Sequence, residues 1–397
     1  MDDIHALGAS KLVNVVTNII RKTPDGKTLN RLETLEFLVS TLSVFEAADP
    51  LDTIIAVIGL AKDEAQLRSI RSRIDNKNPE VLDVYIAFVS YCVESSGSID
   101  IICRHWAPEM REPTFAERVR GAVPAKLDLP SWIPNVSGSV FGAPGDNLKG
   151  RINGDSFVGL PGHRIYDAAF AFPTCSVTFS QCAVDAQAGV NIVNGHHQYD
   201  GTMSVKGYVL DTIAELGARA AQGLIHRESL EMGGWTIGSQ IVPERLWRTL
   251  VADRGHNNTC APSWFQRACL QCLEQSDKNG DFNTTALLNQ PHCPETSAAF
   301  LRRVQSVVWN RKFLLSKSEV NGGRLFGLAP ADSKVGDIIC ILFGCSVTVI
   351  LREHITQDDR FFTVVGESFV YGMMDGEARM GLSDEEVEAK TITFKLR

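Results

Sequence analysis

The side chains able to do chemistry in this chain fall into a few short groups. Arg104-His105-Trp106 sets a guanidinium, an imidazole and an indole in a row. The imidazole is a candidate general base, and with Arg104 a candidate anion-binding pair. The competing reading is a His-Trp pair packed under a loop with the imidazole hydrogen-bonded to backbone, and a lone histidine without a located partner favours that reading. Glu367 and Glu377 flank an apolar strand and a turn near the C-terminus, and Glu367 is the second candidate for proton transfer, against the plainer reading of both as ordinary surface or hydrogen-bonded residues. The candidate binding groups are Arg104, Trp106, Trp132, Arg302 and Arg303. The two arginines, with Arg311 and Lys312, form a basic face on a predicted helix, whose plain alternative is a solvated surface. His163, Arg164 and Tyr166 lie beside a glycine-rich stretch and complete the set.

Other constellations fail on spacing. Cys269-x-x-Cys272, with His256, Cys260, His292 and Cys293, has zinc-type donors. Both cysteines nevertheless fall inside an apolar helical pattern, and no second knuckle accompanies them. Asp277 to Asn283 begins like a calcium loop, but Phe282 stands where the tight turn needs glycine and Leu288 where the bidentate Glu belongs. His196 and His197 are adjacent, and on a strand would point to opposite faces. Gly150 to Gly162 lacks the strand–GxGxxG–helix context and the Gly-Lys-Ser/Thr ending of a phosphate loop. There is no G-x-S-x-G elbow. The expectation is therefore a chain with neither metal nor cofactor.

Composition narrows the class. The 397 residues carry a formal net charge of −8, which argues against a general nucleic-acid binder. At 44% hydrophobic and 22% charged the chain is globular in character, and long enough for two or three packed units. The longest apolar run, Ile338 to Leu351, is too short for a bilayer and is broken by Gly344 and Ser346. Asp2 and Asp3 replace the basic start of a secretory leader. The ten cysteines sit mostly in apolar segments, as reduced buried thiols of a cytoplasmic protein would.

The elements that must position these groups follow from periodicity. Helical spacing predicts helices over residues 10–20, 28–47, 49–63 (Asp49 as cap, Pro50 in the first turn, apolar all round and so buried), 79–96 with Gly97 as C-cap, 211–222, 242–252, 262–275 and 296–315. Strands are predicted at 166–172, 176–179 and 203–209. Three more lie at 338–343, 347–352 and 361–371, the last with a bulge at Gly366. The acidic run SDEEVEAK leads into TITFKLR, either an added edge strand or a frayed end. The fold class is α+β: helical regions around a Gly/Pro-rich irregular β region, with a small C-terminal antiparallel barrel or curled sheet of SH3-like type. The units are 1–117 (helical), 118–210 (Gly/Pro-rich β and loop), 211–318 (helical) and 319–397 (antiparallel β with an acidic tail).

Several stretches resemble one family. GDIICILFG, VILRE and VGESFVYGMMDGEA are similar to the C-terminal region of fungal heterokaryon-incompatibility (HET) proteins. DPLDTIIAVIGLA resembles the family's DPRDKIYALLGLA, with Leu51 and Ile55 in place of Arg and Tyr. LPSWIPNVS resembles LPSWVPDWS, with Asn135 in place of Asp. IDIICRHWAP, PERLWRTLVADRG and FLRRVQSVVWNRKF agree as well, so the resemblance runs from about Leu32 to Ala378. The family is associated with nonself recognition and with cell death after fusion of incompatible cells. Its death-triggering HET domain, related to TIR domains, carries an Asp-Ala-Ile-Cys-Ile-Asn-Gln-like segment with no counterpart in this chain, so NAD cleavage is not carried over. The resemblance implies a cytoplasmic interaction or regulatory protein with an unknown protein partner. The alternative is a cofactor-free cyclase or isomerase recruited into fungal secondary metabolism, acting on a small apolar metabolite. A buried apolar pocket would favour that enzyme, and a flat face with aromatic anchors the interaction protein.

Overall fold

A computed structural model describes residues 20–22, 25, 28–43, 49–63, 67–75, 80–108, 129–136, 156–181, 199–320, 323–357 and 359–397. The expected helix over 10–20, the glycine-rich stretch up to 155 and the His196-His197 pair lie wholly or mainly outside these residues.

Strands β1 (Ile20–Lys22) and β2 (Thr28–Arg31) form a small antiparallel hairpin. The helix expected from residue 28 therefore begins only at α1 (Leu35–Leu42), where the Thr34 hydroxyl accepts from the Phe37 amide. Helix α2 (Asp52–Ile58) starts one turn later than the Asp49-Pro50 signal. The Asp49 carboxylate instead accepts from the Leu51 amide and closes a turn before the helix. It is not buried all round: Ile54 and Val57 face the core, while Ile55 is exposed. Helices α3 (Arg68–Ile74) and α4 (Val81–Ser96) follow, and Gly97 ends α4 in the left-handed conformation that favours glycine, its amide bonding the Val93 carbonyl.

An eight-stranded sheet forms the other half, and it makes the molecule α+β. Its strands are β3 (Val177–Gln181), β4 (Tyr199–Arg219), β7 (Arg311–Val320), β8 (Gly323–Pro330), β9 (Ile338–Leu342), β10 (Thr348–Ile355), β11 (Arg360–Val370) and β12 (Thr391–Leu396). Between them lie β5 (Leu224–Ile225), α5 (Arg227–Met232), α6 (Glu244–Leu250), α7 (Trp264–Leu273), β6 (Phe282–Asn283), α8 (Thr284–Leu288) and α9 (Glu295–Val308), while α10 (Asp384–Lys390) precedes β12. β4 is 21 residues long and pairs with β3, β12, β9 and β7 at successive points. The pairings run β4–β9–β10–β11–β8–β7 and return to β4. Each of these six strands puts a side chain into one small core: Ile213, Ile339, Ile350, Val370, Leu325 and Leu314.

Several local expectations yield to this pairing. Residues 211–219, helical by composition, are strand: pairing with β7 and β9 outweighs the propensity of Ala, Glu and Leu. Gly217 suits that strand, since a Cβ there would lie 2.3 Å from the Ser229 hydroxyl. Helix α9 stops at Val308, not at 315. Asn310 takes a φ of 58° and the chain leaves as β7. Residues 166–172 are turns, held by Asp167 and Ala168 amides on the Met374 and Ser346 carbonyls. The bulge at Gly366 is present: Ile350 pairs with Gly366 and Leu351 with Val364. The acidic run forms α10, closed by a Ser383–Glu386 capping box. The final segment is neither frayed nor an edge, because β12 lies between β4 and β11.

Phe394 in β12 is fully buried and meets Phe362 edge-on, ring centroids 5.0 Å apart. Phe394→Ala should therefore cost about 3–5 kcal/mol in urea denaturation. An unchanged midpoint would mean that the C-terminal segment is a tail and not a central strand.

Candidate functional site

The segment that carries Arg104, His105 and Trp106 is docked against the β9–β10 connection. The Ser98 hydroxyl and Ile99 amide donate to the Gly344 carbonyl at 2.9 and 3.1 Å. Buried Asp100 accepts from the Ser346 amide at 2.7 Å. Arg104 then spreads its guanidinium between partners: the Gly159 carbonyl at 3.0 Å, the Glu36 carboxylate at 2.5 Å, and Asp100 at 3.7 Å. Arg164 reaches the same Asp100 at 3.9 Å. Burial raises the Glu36 pKa, with Arg104 opposing it. Arg104 is thus committed to carboxylates of its own chain, and the expected anion site is already filled from within.

Glu367, on β11, is committed as well. Its carboxylate accepts from the Ser156 hydroxyl at 2.9 Å, from the Phe157 amide at 2.9 Å and from the Val158 amide at 3.1 Å. It pairs with Arg311 at 2.8 Å, and Arg311 stacks on the Phe157 ring, 3.9 Å from its centroid. Both charged groups are buried. Matching the opposite charge and adding hydrogen bonds in this way is what makes a buried ion pair tolerable. By accepting all of these bonds, Glu367 ties β11 to β7 and to the loop at 156–158.

His105 lies within the electrostatic reach of Arg311. Its ring keeps some accessible surface, yet it lies deep enough in the protein mass that desolvation, with Arg311 as the lesser cause, lowers its pKa to about 4. The imidazole is therefore neutral near pH 7. Among the described residues it has neither the backbone hydrogen bond nor the reactive partner that its two readings required. Trp106 is fully buried edge-on between Tyr85 and Phe88, with centroids 4.8 and 5.0 Å away. Trp132 is fully buried beside Phe179 and donates to the Gly201 carbonyl at 2.9 Å. Both tryptophans are core anchors where binding groups were expected.

The basic face on α9 is divided. Arg302 is exposed, whereas Arg303 donates to the Arg254 carbonyl at 3.1 Å and ties the helix to a turn. Arg311 lies beyond the end of the helix, in the buried pair. Glu377 accepts from the Asp375 amide at 2.6 Å. Tyr166 is buried, donates to the Ala252 carbonyl and stacks with Arg254. Cys269 and Cys272 are buried in α7 with their thiol pKa values raised by burial. Among the described residues no three His, Cys, Asp or Glu side chains are grouped to hold a metal. The Asp277 carboxylate accepts from the Asn279 and Asp281 amides and serves the loop itself.

One open groove of about 830 Å³ lies beside α5 over β4, β7 and β8, and sequence reasoning did not find it. Its charged lining is Glu215, Glu228, Glu231, Glu319, Arg245 and Arg324. Arg324 pairs with Glu215, and Arg245 donates to the Met232 and Gly233 carbonyls at the end of α5. The groove joins residues far apart in sequence, so no local motif marks it. The Arg311–Glu367 pair was missed for a related reason, although Asn310 offered a signal that the helix had ended.

Compared with models of known protein families, with curated proteins and with solved structures, the chain matches none. Among the described residues no helix is long and apolar enough to cross a membrane.

Glu367→Leu should leave Arg311 buried without its partner and lower stability by about 3–5 kcal/mol. Adding Arg311→Met should recover part of that loss, as read by urea denaturation of both variants. For His105 the folded pKa of about 4 lies below the ordinary 6.5, so on acidification the unfolded chain takes the proton first. Stability is then lost as the pH falls from 6.5 to 4, by at most about 3 kcal/mol from this residue. In His105→Leu the part of the pH slope due to this residue should vanish, measured as the difference from wild type at pH 7 and pH 4.5.

Proposed function

We propose that the chain acts as an interaction and regulatory protein of the heterokaryon-incompatibility type in fungal nonself recognition, working in the cytoplasm without catalysis of its own. The family part of this reading rests on the sequence resemblance. The observation that carries the non-catalytic part is the occupation of Glu367: its carboxylate is held by Arg311, a serine hydroxyl and two backbone amides. The neighbouring candidate, His105, has no nucleophile or acid paired with it among the described residues. The groove beside α5 is open and lined by charge, unlike the enclosed apolar pocket that a cyclase of small apolar metabolites needs.

We also read the C-terminal strands as an SH3-like barrel. The pairing circuit β4–β9–β10–β11–β12 and back to β4 supports this, as does the short 3-10 turn Glu377–Arg379 between β11 and β12.

The test is to delete the gene in the fungus that carries it, score cell death in fusions with tester strains, and profile small metabolites in parallel. The expected result is an altered fusion outcome with an unchanged metabolite profile. Unaltered fusions together with a missing product and an accumulating precursor would overturn the proposal and assign an enzyme.

A further inference from the structure

The joint between the Arg104 segment and the sheet holds a feature that the proposed function does not use. Cys103 and Cys345 are 242 residues apart in sequence, and their sulfurs lie 4.0 Å apart. Both are buried, and both are free thiols. Their backbones are held on either side of the contact by the Ser98 and Ile99 bonds to Gly344 and by the Asp100–Ser346 bond. The two sulfurs therefore face each other as a consequence of the docking, and a bond between them requires closure from 4.0 Å to about 2.05 Å.

A third thiol gives access. Cys175 is half-buried, and its side chain packs on Gly344, next to Cys345: a Cβ built at Gly344 would lie 2.4 Å from its Cβ and 2.9 Å from its sulfur. Cys175 is near enough to Cys345 for the two to interact electrostatically, and of the three thiols it is the one that keeps exposed surface. Burial raises the pKa of Cys175; the contact with Cys103 and then burial raise that of Cys345; and Cys103 is raised because its contact with Cys345 is outweighed by burial and nearby carboxylates. Thiolate is scarce at neutral pH, so oxidation is slow there and faster in alkali.

We propose that Cys103 and Cys345 form a disulfide under peroxide stress, locking the N-terminal helical segment to the β9–β10 turn, with Cys175 as the entry thiol. The Cys175 thiolate attacks hydrogen peroxide. The O–O bond breaks, leaving a sulfenic acid, and the departing hydroxide takes up a proton to become water. The Cys345 thiolate attacks the Cys175 sulfur, and the S–O bond breaks with release of a second water. The Cys103 thiolate then attacks the Cys345 sulfur and displaces Cys175 as thiolate. Peroxide is reduced to two waters, and Cys103 and Cys345 together lose two electrons and two protons.

The test treats the full chain with hydrogen peroxide, alkylates the remaining thiols and maps peptides by mass spectrometry. The expected result is a Cys103–Cys345 linked peptide, formed faster at pH 9 than at pH 7. The melting midpoint should rise by on the order of 3 °C, and dithiothreitol should reverse it. Cys345→Ser, with its fold checked by circular dichroism, should give no rise, and Cys175→Ser should slow the linkage about tenfold. Oxidation of exposed Cys260 without any linked peptide would overturn the proposal. So would a link that forms only in urea. A link that forms in Cys175→Ser at the wild-type rate would overturn the role of Cys175 as the entry thiol.

Discussion

The buried pair between Arg311 and Glu367 is the constraint around which the rest of the structure is arranged. Two charges out of water are tolerated only if each remaining donor and lone pair finds a partner. Here the partners come from distant parts of the chain: β7 supplies Arg311, β11 supplies Glu367, and the loop at 156–158 supplies a hydroxyl, two amides and the ring of Phe157. The pair therefore joins a loop that has little regular structure to two strands of the sheet, β7 and β11. Asp100 and Arg104 repeat the device a short distance away, joining α1 and the segment after α4 to the β9–β10 connection.

This arrangement depends in turn on the length of β4. A strand of 21 residues serves β3, β12, β9 and β7 in succession, and bulges at several registers let it bend as it changes partners. The six-strand circuit keeps a small core of its own, while the outer face of the sheet meets the large core built on α4 and α9. Residues close in sequence thus face different cores. Leu314 belongs to the small core, and its neighbours Phe313 and Leu315 to the large one.

The same physics limits what the candidate site can do. Charged groups folded into a core must be matched, and matched groups have little capacity left for a ligand. Arg104 and Glu367 are of this kind. The charges that stay near solvent are Arg302 on α9 and those lining the groove beside α5, where Arg324 and Arg245 keep partners within the chain. That separation of inner structural charge from outer charge is what directs the functional reading toward interaction.

Sequence alone determined the features that rest on local chemistry. The apolar run at 338–343, the β-branched run after it, the Gly366 bulge and the Gly97 cap were all readable, because periodicity and glycine conformation act within a few residues. The Ser383–Glu386 capping box was also written in the sequence, within a run that looked only acidic. Tertiary structure decided the rest. Residues 211–219 and 311–315 have helical composition, and only pairing with distant strands makes them β. His105 and Glu367 were named as catalytic candidates and Trp106 and Trp132 as binding groups, but their surroundings depend on burial and on partners up to 211 residues away. Desolvation and charge matching are properties of the folded neighbourhood, and no window of sequence contains them.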